Sequence, residues 1–332
     1  MGDILTVDRV RVTFFLMTYN QERYVRGAIE GAFSQTYSPL EIVISDDCST
    51  DGTFAIIREM CEQYDGLHTI VMNRNTENLG LIGHINIIPT LSSGELIVYA
   101  AGDDISLPHR TAAIVDRYIA SGRTVTSIHS PVYLIDIAGN REGTKIPPVI
   151  SDGMSLKDMA LSTSLIIGAT HAFSRKLENI FGGIRYNKCI EDLVMGFRSA
   201  VIGGLEYIPE PLVLYRYESG ITAVPDSRNQ TYQRKVKREV SELGMHLAVF
   251  SQRREDLRHT DAAWLLPLVQ SARDKALLKR KVLLRHYRFI KLMRYSMKRG
   301  MLPLFIKVWF RELKWRIFFP VKGLIRNIAP QA

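Results

Sequence analysis

The chain has 332 residues, of which 46% are hydrophobic and 23% charged; these values exclude a disordered or collagen-like protein and allow a full core. The net charge of +9 is uneven: residues 262–332 hold 17 Lys+Arg against Asp274 and Glu312, leaving the first 261 residues at −6. No run of 18 apolar residues argues for a spanning helix, Met1–Thr6 lacks the character of a signal peptide, and Cys48, Cys61 and Cys189 have neither close pairing nor zinc spacing, as expected of reduced thiols in a cytoplasmic setting.

In chain order, Val10–Met17 is almost wholly apolar and predicts a first strand. Thr18-Tyr19-Asn20 follows, with Asn20 placed to cap a helix over Gln21–Phe33, where Val25, Ile29 and Phe33 recur every four residues. Glu41–Ile44 predicts a second, doubly buried strand that breaks into Ser45-Asp46-Asp47-Cys48-Ser49-Thr50-Asp51-Gly52-Thr53. Asp51 suits a helix N-cap, and a helix is expected over Phe54–Tyr64, then a third strand over Leu67–Met72. This alternation predicts a parallel α/β sheet with right-handed crossovers. The carboxylates of Asp46 and Asp47 then fall at the carboxyl end of a central strand, where open α/β sheets bind ligands.

Asn73–Gly80 is a polar loop before a helix from about Leu81. Glu95–Ala101 predicts a fourth strand ending in Gly102-Asp103-Asp104, and Pro108 suits the first position of the next helix. Two carboxylate pairs at equivalent strand ends are hard to explain as caps alone; such a pair can share Mg²⁺ or Mn²⁺ with a diphosphate. Further on, Thr126–Ile137 is strand-like, Gly139-Asn140 marks a turn, and Lys145–Gly153 is a proline-containing loop. Leu165–Phe173 is an apolar strand whose His171 is either a satisfied core group or a site residue. Glu191-Asp192 opens a helix over Leu193–Ile202, a position that favours the charged form of Asp192. Taken alone, without the upstream motifs, Asp192 reads as a plain N-cap.

Over residues 10–223 these motifs together resemble a family 2 glycosyltransferase of GT-A fold. The resemblance rests on Thr18-Tyr19-Asn20, Asp46–Thr53, Asn78-Leu79-Gly80, Gly102-Asp103-Asp104, and Glu191-Asp192 with Arg198. It implies an α/β, Rossmann-like, mostly parallel sheet flanked by helices. It also implies inverting transfer of a sugar from a nucleoside-diphosphate sugar, such as a UDP- or dTDP-sugar, to a hydroxyl. By position, Thr18, Asn20, Asp46, Asp47, Asn78 and Gly80 match the nucleotide site, and Asp104 and Glu191 the donor-sugar site. Asp103 matches the metal-binding Asp, and Asp192 the catalytic base. Two departures weaken the metal site: Ala101 replaces the first Asp of Asp-x-Asp, and Tyr217 stands where many relatives have a His. A divalent cation, Mg²⁺ or Mn²⁺, is the implied cofactor.

Gln230–Phe250 predicts a charged helix, and Leu265–Ile290 a long basic one, with Leu268, Ala272, Ala276, Leu283 and Tyr287 at helical spacing. Met301–Ile328 mixes Phe305, Trp309, Phe310, Trp315, Phe318 and Phe319 with lysines and arginines, the pattern of an interfacial helix on an anionic leaflet. The organisation expected is a catalytic domain over residues 1–225 and a helical, basic, membrane-associating region over 226–332. That places a peripheral enzyme on the inner face of the plasma membrane, acting on a glycan or lipid-linked acceptor in lipopolysaccharide or other surface-polysaccharide synthesis. No nucleic-acid-binding motif accompanies the basic charge. The alternatives are a nucleotide-sugar-binding protein with weak or lost transfer activity, and a nucleotidyltransferase. The latter needs a glycine-rich basic phosphate loop that Met17–Arg23 does not offer.

Overall fold

The computed structural model describes residues 9–217, 232–284 and 289–326. Eleven strands run β1 (Val12–Thr18), β2 (Glu41–Asp46), β3 (Thr69–Arg74), β4 (Leu96–Ala101), β5 (Ile105–Ser106), β6 (Ser127–His129), β7 (Val132–Ile135), β8 (Arg141–Lys145), β9 (Ala172–Ser174), β10 (Leu205–Tyr207) and β11 (Val213–Arg216). The helices on the sheet domain are α1 (Val25–Phe33), α2 (Thr53–Glu62), α3 (Gly80–Asn86), α4 (Ile88–Leu91), α5 (Arg110–Ala120), α6 (Pro148–Ser151), α7 (Leu156–Leu161), α8 (Arg175–Phe181) and α9 (Glu191–Val201). Beyond them lie α10 (Tyr232–Leu257), α11 (Leu266–Leu284), α12 (Phe289–Met297) and α13 (Leu302–Arg326).

The main sheet has the order β10-β6-β9-β4-β1-β2-β3. Strands β1 to β4 pair in parallel, and β9 lies antiparallel between β4 and β6. The chain winds outward from β1 through β2 to β3, then returns to put β4 on the other side of β1. That reversal opens a crevice at the carboxyl ends of β1 and β4. Register aligns Thr18 with Asp46 and Met17 with Ala101, so the motif-bearing ends lie side by side. A second sheet, β5-β11-β7-β8, stands beside this edge.

Alternation along the strands sends Phe14, Leu16, Ile42, Ile44 and Val98 to one face, against α1, α2 and α5. Phe15, Met17, Val43, Ile97 and Tyr99 go to the other, against α3, α4, α8 and α9. Val249, Phe250 and Leu257 of α10, and Leu265 and Val269 after it, belong to this second cluster. Helix α10 and the residues just after it therefore pack onto this face of the sheet.

Several expectations are corrected. Residues 21–24 form a turn, and α1 begins at Val25 without a side-chain cap from Asn20. Asn20 has φ +52° and faces the neighbouring loop instead. The strand expected over 126–137 is two strands in different sheets, because Pro131 has no N–H to continue a ladder. Lys145 ends β8 and Pro148–Ser151 is helical, so 145–153 is not one loop. Leu165–Phe173 is not a strand throughout: Gly168–Thr170 is a 3-10 turn, and β9 starts at Ala172. Pro108 precedes the helix start by two residues, since α5 begins at Arg110. Within the basic segment 265–290, α11 spans Leu266–Leu284, Phe289 belongs to α12 and Ile290 is exposed; Tyr287 lies outside the described residues.

In the tail, Phe305 and Trp309 pack inward. Phe305 is buried with Leu278, Val282, Leu292, Met301 and Val308, and Trp309 packs against that cluster. The side chains of Trp315, Phe318 and Phe319 lie outside the described residues. Ile306, Phe310 and Leu313, spaced by four and three, are exposed at 45%, 61% and 42% on one side of α13. Among the described residues, no helix is long and apolar enough to cross a membrane.

Candidate active site

The loops after β1 and β2 lock together. Asn20 N donates to Ser49 Oγ (2.9 Å), and Asn20 Oδ1 accepts from Thr50 N (2.8 Å). Cys48, at φ +60°, makes the sharp turn between the strand end and Ser49. Asp46 is fully buried; it accepts from Ser49 N (2.9 Å), Ser49 Oγ and Thr18 Oγ1 (3.3 Å), with Arg74 Nε at 3.6 Å. Asp51 Oδ1 accepts from Thr53 N (3.0 Å) at the start of α2.

Asp47 is 3% exposed. Its Oδ1 accepts from Asn75 Nδ2 (2.8 Å) and Leu79 N (2.9 Å), and its Oδ2 from Gly80 N (2.9 Å). The carboxylate thus fastens the 75–80 loop and the start of α3 to β2. Asn78 Oδ1 accepts from the same Gly80 N (2.9 Å), and Gly80 turns there at φ +68°. One turn on, His84 Nε2 pairs with Ser45 Oγ (2.7 Å), and burial holds the imidazole below its usual range, hence neutral. Asp47→Ala should therefore weaken nucleotide binding and destabilise the fold together. Three backbone and amide donors lose a buried acceptor, at about 1–3 kcal/mol. Titration calorimetry with UDP beside a urea melt checks this; full stability with full UDP affinity would remove Asp47 from the site.

At the end of β4, Asp103 Oδ1 accepts from Gln21 Nε2 (2.9 Å). A side chain on Gly102 would crowd the Gln21 amide and the Thr18 methyl, so it would displace the side chain that holds Asp103. Asp104 Oδ1 accepts from Arg216 N (2.8 Å) on β11, and Arg216 Nη1 donates to the carbonyls of Asp136 (2.6 Å) and Ile137 (2.8 Å). Burial, then the charge of Asp103, pushes Asp104 well above the usual carboxylate range. Arg110, bonded to Tyr99 O (2.6 Å), lies close enough to offset part of that rise.

Glu191 and Asp192 open α9, and their side chains pass close to Gly168, where a Cβ would lie 2.8 Å from Glu191 Oε1. Glu191 Oε2 and Asp192 Oδ1 are buried with no hydrogen-bond donor among the described residues. Burial, then Glu191, drives Asp192 far above the usual carboxylate range. Arg253 of α10 opposes this rise. It is fully buried and donates to Leu193 O (3.0 Å), Ala160 O (3.1 Å) and Ser162 O (2.8 Å). The two acidic pairs converge on Tyr99, whose buried hydroxyl is raised by desolvation and then by Glu191, Asp103, Asp104 and Asp192.

His171 is a core group. Its Nε2 pairs with Ser127 Oγ (2.8 Å), and burial pushes its pKa down to about 3. Tyr217 donates to Glu142 Oε2 (2.7 Å). The 218–220 stretch of the same motif lies outside the described residues.

The donors present at Asp103 and Asp104 are hard oxygens whose mutual repulsion a divalent cation would relieve. They fit Mg²⁺ or Mn²⁺ held jointly with a diphosphate. Among the described residues, no three His, Cys, Asp or Glu side chains form a closed metal cage.

A family model described as glycosyl transferase family 2 matches residues 13–181, half of the chain, including the ends of β1, β2 and β4 but not Glu191, Asp192 or β11. The chain belongs to this family. A relative from Mycobacterium tuberculosis, an uncharacterized protein, is 27% identical over 201 residues, covering 60% of this chain and 57% of its own length. The match thus spans little more than half of that relative. Two solved glycosyltransferase structures share the fold. The mannosyltransferase PcManGT of Pyrobaculum calidifontis, in complex with GDP-Man and Mn²⁺, has a TM-score of 0.53 at 19% identity, covering 92% of this chain and 88% of that one. S. aureus TarS 1–349, in complex with UDP-GlcNAc, has a TM-score of 0.55 at 13% identity, covering 92% of each chain. These likenesses establish a GT-A fold for this family 2 member.

Sequence reasoning missed Gln21, Tyr99, Gly168 and Arg253. Gln21 carried a weak signal beside Asn20. Arg253 carried none, since Arg253-Arg254-Glu255 has the composition of a solvated helix face.

Proposed function

We propose that this chain is an inverting glycosyltransferase. It moves a sugar from a UDP- or dTDP-sugar to a hydroxyl of a glycan or lipid-linked acceptor in the synthesis of lipopolysaccharide or another cell-surface polysaccharide. The observation that carries the reading is the pair of buried, donorless oxygens at Glu191 and Asp192, whose carboxylates share with Asp103 and Asp104 the neighbourhood of Tyr99. A carboxylate oxygen in that state lacks one thing, an O–H donor, and the acceptor hydroxyl is one.

In this reading, Thr18, Asn20, Asn78 and Gly80 shape the nucleotide pocket, and Asp46 and Asp47 hold its two loops at the sheet edge. A cation at Asp103, when bound, supplies charge stabilisation to the departing diphosphate. Gln21 holds Asp103 by a hydrogen bond, and Asp104 ties β11 to the site. Asp192 accepts the proton of the acceptor hydroxyl while Glu191 borders the donor sugar. A single displacement on the face opposite the leaving group inverts the anomeric carbon. The neighbours' donors, GDP-Man and UDP-GlcNAc, support a nucleotide sugar without choosing one for this chain.

A screen of nucleotide sugars with Mn²⁺, read by calorimetry and by donor hydrolysis, tests the reading. Tight binding of a nucleotide sugar with neither hydrolysis nor transfer would favour the second reading, a binding protein with lost activity. Ala101, and Tyr217 bonded to Glu142 where relatives have a His, motivate that second reading.

For the organisation of the chain, we propose that residues 1–225 carry donor binding and catalysis, and that 226–332 both complete the core and dock on the inner face of the plasma membrane. The stripe Ile306–Phe310–Leu313 lies among the exposed residues Lys307, Arg311 and Lys314. Phe310→Glu with Leu313→Glu should abolish sedimentation with anionic vesicles. Each basic residue near such a surface contributes about 1 kcal/mol, a salt-screened contribution, so parent binding should weaken in high salt without vanishing. Parent protein that ignores anionic vesicles would remove the membrane from this account. Truncation near residue 260 is unsuitable, because it would strip Leu265 and Val269 from the core.

A further inference from the structure

Away from the carboxylates, a cleft of 320 Å³ opens between α7, α10 and α11. That is the low end of the range for small-molecule sites, about 300–1,000 Å³. Leu161, Leu243, Phe250, Leu268, Ala272 and Ala276 give it an apolar wall. Lys275 and Lys279 stand along it, four residues apart and so on one side of α11. No acidic side chain lines the cleft, and among the described residues neither lysine pairs with a carboxylate. His246, the third basic group, is held below its usual range by burial and is neutral near pH 7.

An aromatic ring and a third lysine stand near in sequence to two of the lining residues. Trp264, four residues before Leu268, is 55% exposed. Its ring sits 5.6 Å from Lys157 Nζ, and Lys157 is four residues before Leu161. Inward, the α7 wall ends at the Ala160 and Ser162 carbonyls, which Arg253 binds together with Leu193 O, next to Asp192. Arg253 thus ties the α7 backbone flanking Leu161 to the backbone beside the candidate base.

We propose that the cleft binds a single-chain lipid phosphate, its chain along the Leu161–Leu243–Leu268 wall and its phosphate between Lys275 and Lys279. An apolar trough with two unpaired ammonium groups and no acid matches an anionic amphiphile, and matches neither a neutral chain nor a free anion. Identifying the ligand with the lipid of a lipid-linked acceptor rests on the transfer reading above; the binding itself does not.

The test uses full-length protein and dodecyl phosphate below its micelle threshold, followed by calorimetry and by the fluorescence of Trp264. Saturable binding is expected, with a Trp264 signal that disappears in Trp264→Phe. Affinity should fall about ten-fold or more in Lys275→Glu/Lys279→Glu, because two charge-assisted phosphate contacts are reversed. Both lysines are at the surface, so this variant should melt as the parent does; Ala272→Phe, which fills the trough, gives an independent second loss. UDP affinity, measured on the same samples, should not change. Equal binding of dodecyl maltoside, equal competition by inorganic phosphate, or unchanged affinity in the double variant would each overturn the proposal. Lipid-phosphate binding without any sugar transfer would leave the cleft in place and overturn the transfer reading instead.

Discussion

Asp192→Asn should lower sugar transfer by about 10²–10⁴-fold, the usual consequence of losing a general base, with donor affinity close to that of the parent. The amide keeps the shape and the helix position but cannot take a proton. The pH profile supplies the sharper check. Burial, then Glu191, raises the Asp192 carboxyl well above the 3.8 of a free aspartate, with Arg253 and Lys145 pulling it partly back. Catalysis needs the deprotonated form, so kcat/KM should rise with pH through that elevated value and level off above it. In Asp192→Asn this acid limb should disappear from whatever activity is left. A variant with near-parental turnover and an unchanged limb would make Asp192 a cap and send the search for the base elsewhere.

Asp256→Ala should be the most destabilising single change outside the sheet. Asp256 accepts from Arg198 Nε (2.9 Å) and Nη2 (3.0 Å) and from Gln252 Nε2 (2.9 Å), and the Arg198–Asp256 side chains are 1% and 3% exposed. Removing one partner strands a buried guanidinium, which costs about 3–5 kcal/mol. Arg198 also holds the Gly182 carbonyl (2.7 Å) and sits on α9, the helix that Asp192 opens. Donor hydrolysis should therefore fall along with stability. Urea unfolding checks the first effect, and activity of the still-folded fraction the second. A loss below about 1 kcal/mol, the range of a solvated pair, would mean that α10 is an appendage after all.

Much of the fold was legible in the sequence because it is local. Buried parallel strands require unbroken apolar runs, so β1, β2 and β4 stood out to within a residue or two. Asp46-Asp47 and Gly102-Asp103-Asp104 were legible because strand ends are the only places where such runs yield to clustered carboxylates. Glu191-Asp192 was legible as a helix start, and only its order behind the other motifs made it a candidate base. What composition misjudged is whatever depends on partners distant in sequence. Pro131 split a strand-like run because the two halves join different sheets. His171 became a core group through Ser127. Phe305 turned from interfacial aromatic to buried anchor because α11 and α12 cover it.

By itself, the sequence determined the alternation of strands and helices in the α/β half, the positions of its four strand-end carboxylates and the uneven charge of the tail, since periodicity and composition are properties of neighbours along the chain. Only the tertiary structure decided that Asp47 binds the 75–80 loop, that Gln21 holds Asp103, and that Arg253 and Asp256 bring a charged helix into the core beside Asp192. The reason is physical: a buried charge is tolerable only where donors and acceptors from several elements meet, and no local pattern encodes that meeting.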